Sequence, residues 1–179
     1  MKKLSIFLFA FIIILTGCSK NTTNTPKGEV QKLFSDYNSL SSDVLIQLDS
    51  VMASEDLTDE QINTYKNILK RQYEDLKYKI TDEVISDDKA IVTAEIEVYD
   101  LRKVIDESEK YLETHESEFY DENETIDTSK FWDYKLKGMK EVTDRVKYTI
   151  DFTLTKIDNE WQLDNLLETD RQKIHGLYK

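Results

Sequence analysis

After Pro26 the chain contains no proline, and after Gly28 its only glycines are Gly138 and Gly176. A body of about 150 residues with so little punctuation has to be made of long, regular elements. That length suits one domain with a single core. The apolar spacing then decides which elements these are.

Val30, Leu33, Phe34, Tyr37, Leu40, Val44, Leu48 and Val51 recur at intervals of three and four. This predicts one amphipathic helix over residues 29–53. Thr58 opens a second helix, with Gln61 three residues on as its capping-box partner. Its stripe is Ile62, Tyr65, Ile68, Leu69, Tyr73 and Leu76. The period then switches to two. Tyr78, Ile80 and Val84 alternate with polar residues, Asp87-Asp88 marks a turn, and Ala90, Val92, Ala94, Ile96 and Val98 follow. That is a hairpin with one buried face. Val104, Ser108, Tyr111, Leu112, His115 and Phe119 predict a third helix. After a polar segment from Tyr120 to Asp127, Phe131, Trp132, Leu136, Met139 and Val142 predict a fourth. Val146, Tyr148, Ile150, Phe152 and Leu154 alternate, and Asp158-Asn159 turns the chain back through Trp161 and Leu163. The tail from Asp170 is a short helix or strand extension. The order ααββααββ is an α+β layout, with helices packed on one face of a curved antiparallel sheet.

The N-terminus is different in kind. Lys2 and Lys3 precede an apolar run, Leu4 to Leu15, broken only by Ser5. About a dozen residues is short of the roughly 20 needed to cross a bilayer, but it suits a secretory leader. The run ends in Leu15-Thr16-Gly17-Cys18, and Cys18 is the only cysteine in the chain. An internal disulfide is therefore impossible, and a free thiol would be a liability in an oxidising compartment. Residues 1–17 read as a signal peptide and residues 18–28 as a polar tether, SKNTTNTPKG after the cysteine, with an r.m.s. reach of about 17–19 Å. Residues 29–179 read as the domain.

Two resemblances follow from these residues. Leu15-Thr16-Gly17-Cys18 resembles the lipobox of bacterial lipoproteins. The resemblance implies a diacylglyceryl group on the Cys18 thiol and cleavage between Gly17 and Cys18. It also implies attachment to the outer face of the cytoplasmic membrane, or to the outer membrane of a two-membrane cell. Two acyl chains hold firmly where one would not. The element order of residues 29–179 resembles the nuclear transport factor 2-like, or cystatin-like, cone. That resemblance implies helices packed into the concave face of a curved sheet. Its enzymes place an Asp, His or Tyr inside the cone.

The residues that could carry chemistry are few. The expected inward faces of the strands hold no polar group except Tyr148, and so read as packed core. Asp82 shares the parity of Tyr78, Ile80 and Val84 and is expected to point inward, where a raised pKa would make it a general base. A bulge or strand end would instead turn it to water. His115 lies four residues from both Tyr111 and Phe119, which predicts a packed, half-buried ring; Glu113, His115 and Glu116 diverge around a helix and make a poor metal set. His175 has no nucleophile or base beside it. Asp121-x-Asn123-x-Thr125-x-Asp127 copies the start of a calcium loop, but Ile126 stands where glycine is needed and Trp132 where a bidentate glutamate belongs. A solvated acidic loop is the expectation. Trp132 and Tyr134 could form a recognition surface, but the spacing favours Trp132 joining Phe131, Leu136 and Met139 over the sheet.

The formal net charge is −12, and loss of Lys2 and Lys3 with the leader brings it near −14. That argues against nucleic acid and against the domain lying flat on an anionic membrane. The sequence thus reads as a membrane-anchored extracytoplasmic lipoprotein, not an enzyme, with a binding or interaction domain and no expected metal or cofactor. Its expected partners are the membrane, through lipid on Cys18, and a membrane or cell-wall protein. The alternatives are a small-ligand-binding cone and a cone-type isomerase or dehydratase using Asp82 and Tyr148.

Overall fold

Thr25 and Pro26 set the first boundary. The Thr25 hydroxyl accepts the Gly28 N–H at 3.0 Å, and Pro26 occupies the first helical turn, where its missing N–H and fixed φ cost nothing. The computed structural model describes residues 24–52 and 57–179. Its elements are α1 (Pro26–Asn38), α2 (Ser42–Met52), α3 (Asp59–Glu74), β1 (Lys77–Ser86), β2 (Lys89–Tyr99), α4 (Leu101–Thr114), α5 (Thr128–Glu141), β3 (Arg145–Ile157), β4 (Glu160–Leu163) and α6 (Glu168–His175). The four strands form one antiparallel sheet in the order β1-β2-β3-β4. The α+β class and the one-sided helix layer follow the sequence expectation.

The core lies between the sheet and the helices. Ala90, Val92, Ala94, Ile96 and Val98 of β2 and Ile150, Phe152 and Leu154 of β3 are buried under Val30 and Phe34 of α1, Leu69 of α3 and Ile174 of α6. Phe34 stacks on Tyr78 at 4.4 Å and meets Phe152 edge-on at 5.5 Å. Each such side chain contributes about 1.5–3 kcal/mol of burial. The opposite face is mostly polar, with Val84 and Ile91 exposed at one end. Lys77 pairs with Glu97 at 3.1 Å, Lys147 with Glu95 at 3.2 Å, and the Thr93 hydroxyl donates to Asp151 at 2.7 Å.

Several expectations are corrected. The domain begins before Glu29, because Thr25-Pro26 is a helix start and Asn24 is already tied to β4. The predicted helix over 29–53 is two helices. Leu40 adopts φ 50°, and the Asn38 amide donates to the carbonyls of Tyr73 (2.8 Å) and Leu76 (3.0 Å). Those bonds tie the end of α1 to the end of α3 and turn α2 away. The apolar spacing runs through the break because both helices feed the same core. The capping box of α3 forms as expected. The tail is a helix, closed by Gly176 at φ 70°, where a Cβ would come within 2.2 Å of the Tyr99 carbonyl.

The largest correction lies in β1. Ile80 opposes Ala94, but Asp82 opposes Thr93, leaving Thr81 as an unopposed bulge residue. A bulge reverses the side-chain alternation beyond it. Asp82 and Val84 therefore stand on the solvated face, and Glu83 takes the inner side, opposite Val92. The Lys27 N–H donates to the Glu83 carboxylate at 2.9 Å, so Glu83 serves the N-terminus of α1.

Candidate functional site

On the inner face of the sheet, Ala90, Val92, Ala94, Ile96 and Val98 of β2 and Ile150, Phe152 and Leu154 of β3 are buried. Tyr148 lies there, opposite Ile96. Its hydroxyl donates to the Tyr178 carbonyl at 3.3 Å, and burial, helped by Asp100 and Tyr178, pushes its pKa up. Asp82 is exposed on the other face, where its carboxylate accepts the Glu83 N–H at 2.9 Å. The pair named for a cone-type enzyme is thus separated by the sheet itself.

The two histidines sit in different surroundings, and the expectation for His115 is corrected. His115 is exposed and caps the end of α4 instead of lying half-buried within it. Its ring lies flat on Tyr111, with centroids 4.0 Å apart and 4° between planes. Tyr134 stacks on Tyr111 at 4.9 Å, and Phe119, in a 3-10 turn over Glu116–Phe119, meets Tyr111 and Tyr134 edge-on. The Tyr111 hydroxyl donates to Glu118 at 3.0 Å, which raises its pKa.

His175 is the enclosed one. It lines a 60 Å³ cavity with Tyr37, Leu48, Leu69, Tyr73 and Arg171, a space for one or two waters. Desolvation drives its pKa down to about 4, further lowered by Arg171 and partly offset by Glu168. Burial also raises the Tyr73 pKa, so we assign the Tyr73 hydroxyl as donor to Nδ1, at 2.9 Å.

A larger hollow, about 650 Å³, lies between α4 and α5. Val104, Ser108 and Gly138 line its apolar part, Tyr111 and Tyr134 its aromatic wall, and Lys103 and Lys137 with Glu107, Glu141 and Asp144 its charged part. Gly138 lets the helices approach closely, since a Cβ there would meet the Val104 side chain at 2.8 Å. Trp132 is partly buried and faces Tyr65 of α3 at 6.5 Å. It therefore packs on a helix and not over the sheet. Lys135 lies over the Trp132 ring at 3.5 Å.

Two carboxylates of the acidic segment, Asp121 and Asp127, are spent on backbone N–H groups. Asp121 accepts the N–H groups of Asn123 (2.8 Å) and Thr125 (3.0 Å), bonds that lower its pKa to about 2. Asp127 caps α5 through Ser129 and Lys130. Among the described residues no group of three or more His, Cys, Asp or Glu could hold a metal ion. Gly17 and Cys18, the signal peptide and most of the tether lie outside the described residues.

Sequence reasoning missed the amide side chains. Gln72 accepts from the Tyr99 N–H at 2.8 Å and donates to its carbonyl at 3.0 Å. Asn24 does the same for Trp161, at 2.6 and 3.1 Å. Buried Gln61 donates to the Ser129 carbonyl (3.0 Å) and Asp133 (2.8 Å). Only Gln61, in its capping box, carried a local signal.

No family model matches the chain, and no curated relative matches it. Among solved structures it is similar to a protein of Bacillus subtilis described as a "putative lipoprotein (ycdA)", at 19% identity and a TM-score of 0.42. The alignment covers 83% of this chain and 47% of the other, so the chain spans about half that protein's length. Among the described residues no helix is long and apolar enough to cross a membrane.

Proposed function

We propose that the chain is a bacterial lipoprotein whose α+β domain, related to the cone architecture, is a non-catalytic interaction module on the outer face of the cytoplasmic membrane. The leader's order of charge, apolar run and lipobox supports cleavage before Cys18 and acylation of its thiol. The observation that carries the non-catalytic reading is that Asp82 and Tyr148 stand on opposite faces of the sheet. Asn24 is tied to Trp161, so about six residues join the anchor to the domain. Fully extended, they span about 20 Å. The domain's own acidity keeps it from settling on anionic lipid, which leaves neighbouring membrane or wall proteins as partners.

The α4–α5 hollow is the surface we assign to that contact, because it combines a stacked aromatic wall with charges of both signs. A second reading, binding of a small ligand, rests on the same 650 Å³ volume, which lies in the usual range for ligand sites. Cys18→Ser should leave the protein unprocessed or free of the membrane, with an unchanged circular dichroism spectrum. Normal processing and membrane retention of that variant would overturn the anchor. Crosslinking in intact membranes should recover a reproducible neighbour, and Tyr134→Ala with Lys137→Glu should abolish it. An undiminished crosslink would remove the hollow from the contact.

A further inference from the structure

The two edges of the sheet end differently. At the β4 edge, Asn24 occupies both backbone groups of Trp161. The β1 edge runs for ten residues with no strand beyond it among the described residues. Tyr78 (37% exposed), Val84 (56%) and Ile85 (53%) all stand on β1, with Ile91 (45%) opposite Val84. An open edge with exposed apolar side chains is a template for pairing with another chain.

Charge along β1 is divided. Lys77 and Lys79 lie in its first half, Asp82 and Glu83 in its second. Lys77 is held by Glu97, and Glu83 by the Lys27 N–H. Lys79 and Asp82 have no ion-pair partner among the described residues. A strand divided in this way complements itself when two copies run antiparallel, as a two-fold axis requires.

We propose that β1 is a homodimer edge: two copies of the chain pair antiparallel through β1, with Lys79 of each opposite Asp82 of the other, and their sheets become continuous. The bulge fits this register. Opposed residues must share a face. In an unbulged strand Lys79 and Asp82 point to opposite faces. The shift at Thr81 places both on the solvated face. In the same register Lys77 meets Val84 on that face, and Tyr78 meets Glu83 on the inner one.

The test uses the full chain in detergent, mixing light and isotopically heavy protein and treating it with a water-soluble carbodiimide. This reagent condenses an amine with a carboxylate in contact, with loss of water. The expected product is a light Lys79 peptide joined to a heavy Asp82 peptide. By sedimentation equilibrium, Lys79→Glu or Asp82→Lys alone should weaken the dimer about tenfold, since two like-charge pairs replace two attractive ones. The double reversal should restore it. Both changes are at exposed positions, and circular dichroism checks that each of the three variants folds. A monomeric chain, a dimer indifferent to the single reversals, or a mixed-isotope joint only outside β1 would each overturn the proposal.

Discussion

The chain holds two tyrosine–histidine pairs with almost the same chemistry and different consequences. Tyr111 and His115 sit four apart at the end of one helix, stacked and accessible to water. Tyr73 and His175 come from α3 and the last residue of α6, 102 positions apart, and meet beside a small cavity. The local pair is a surface feature made by residues four apart where α4 ends. The distant pair exists only because the fold brings two helix ends together. Burial, not the side chains, makes the second pair a structural bond and holds its histidine neutral.

The largest expected difference is in stability. Tyr73→Ala empties a buried aromatic site and should cost about 3–5 kcal/mol, read from urea unfolding. Tyr111→Ala removes a stacked but accessible ring and should cost about 1 kcal/mol. Equal losses would break the comparison.

The next difference is in pH. The folded His175 pKa is about 4, below its ordinary 6.5. The unfolded chain therefore binds this proton more readily, so the contribution is complete above pH 6.5 and is lost as pH falls towards 4. A shift of that size corresponds to about 3 kcal/mol. Arg171 opposes protonation of the ring and Glu168 favours it. Asp121 acts in a lower window: its depressed pKa makes its contribution present above about pH 4 and lost towards 2. His175→Gln should flatten the stability profile between pH 6.5 and 4. An unchanged slope would place its origin elsewhere.

The same division explains what could be read from residue order. Elements carried by local signals were legible: the Thr58–Gln61 capping box, the β2 and β3 alternation, and the Asp158-Asn159 turn, whose residues take φ 51° and 67°. Features made by distant partners were not. Asn38 breaks the first helix by bonding to carbonyls at the end of α3, and apolar spacing is blind to that. His115 was expected inside because its spacing matched a stripe, but the helix stops at Thr114. For the candidate site, the aromatic residues were visible one by one. Their stacking, and the hollow beside Gly138, depend on how α4 meets α5.

The smallest expected effect tests the sharpest case, two adjacent carboxylates. Periodicity put Asp82 inside and its neighbour outside; one bulge residue reverses them. The Asp82 carboxylate then accepts from the N–H of its own strand neighbour, while Glu83 accepts from the first turn of α1, where a carboxylate satisfies an otherwise orphaned N–H and favours the helix dipole. Asp82→Ala should therefore change monomer stability by less than about 0.5 kcal/mol, and Glu83→Ala should cost about 1 kcal/mol, both measured at high dilution by thermal unfolding. A larger loss at Asp82 would mean that the alternation runs straight through Thr81. Asp82 would then return to the inner face, on the same side of the sheet as Tyr148.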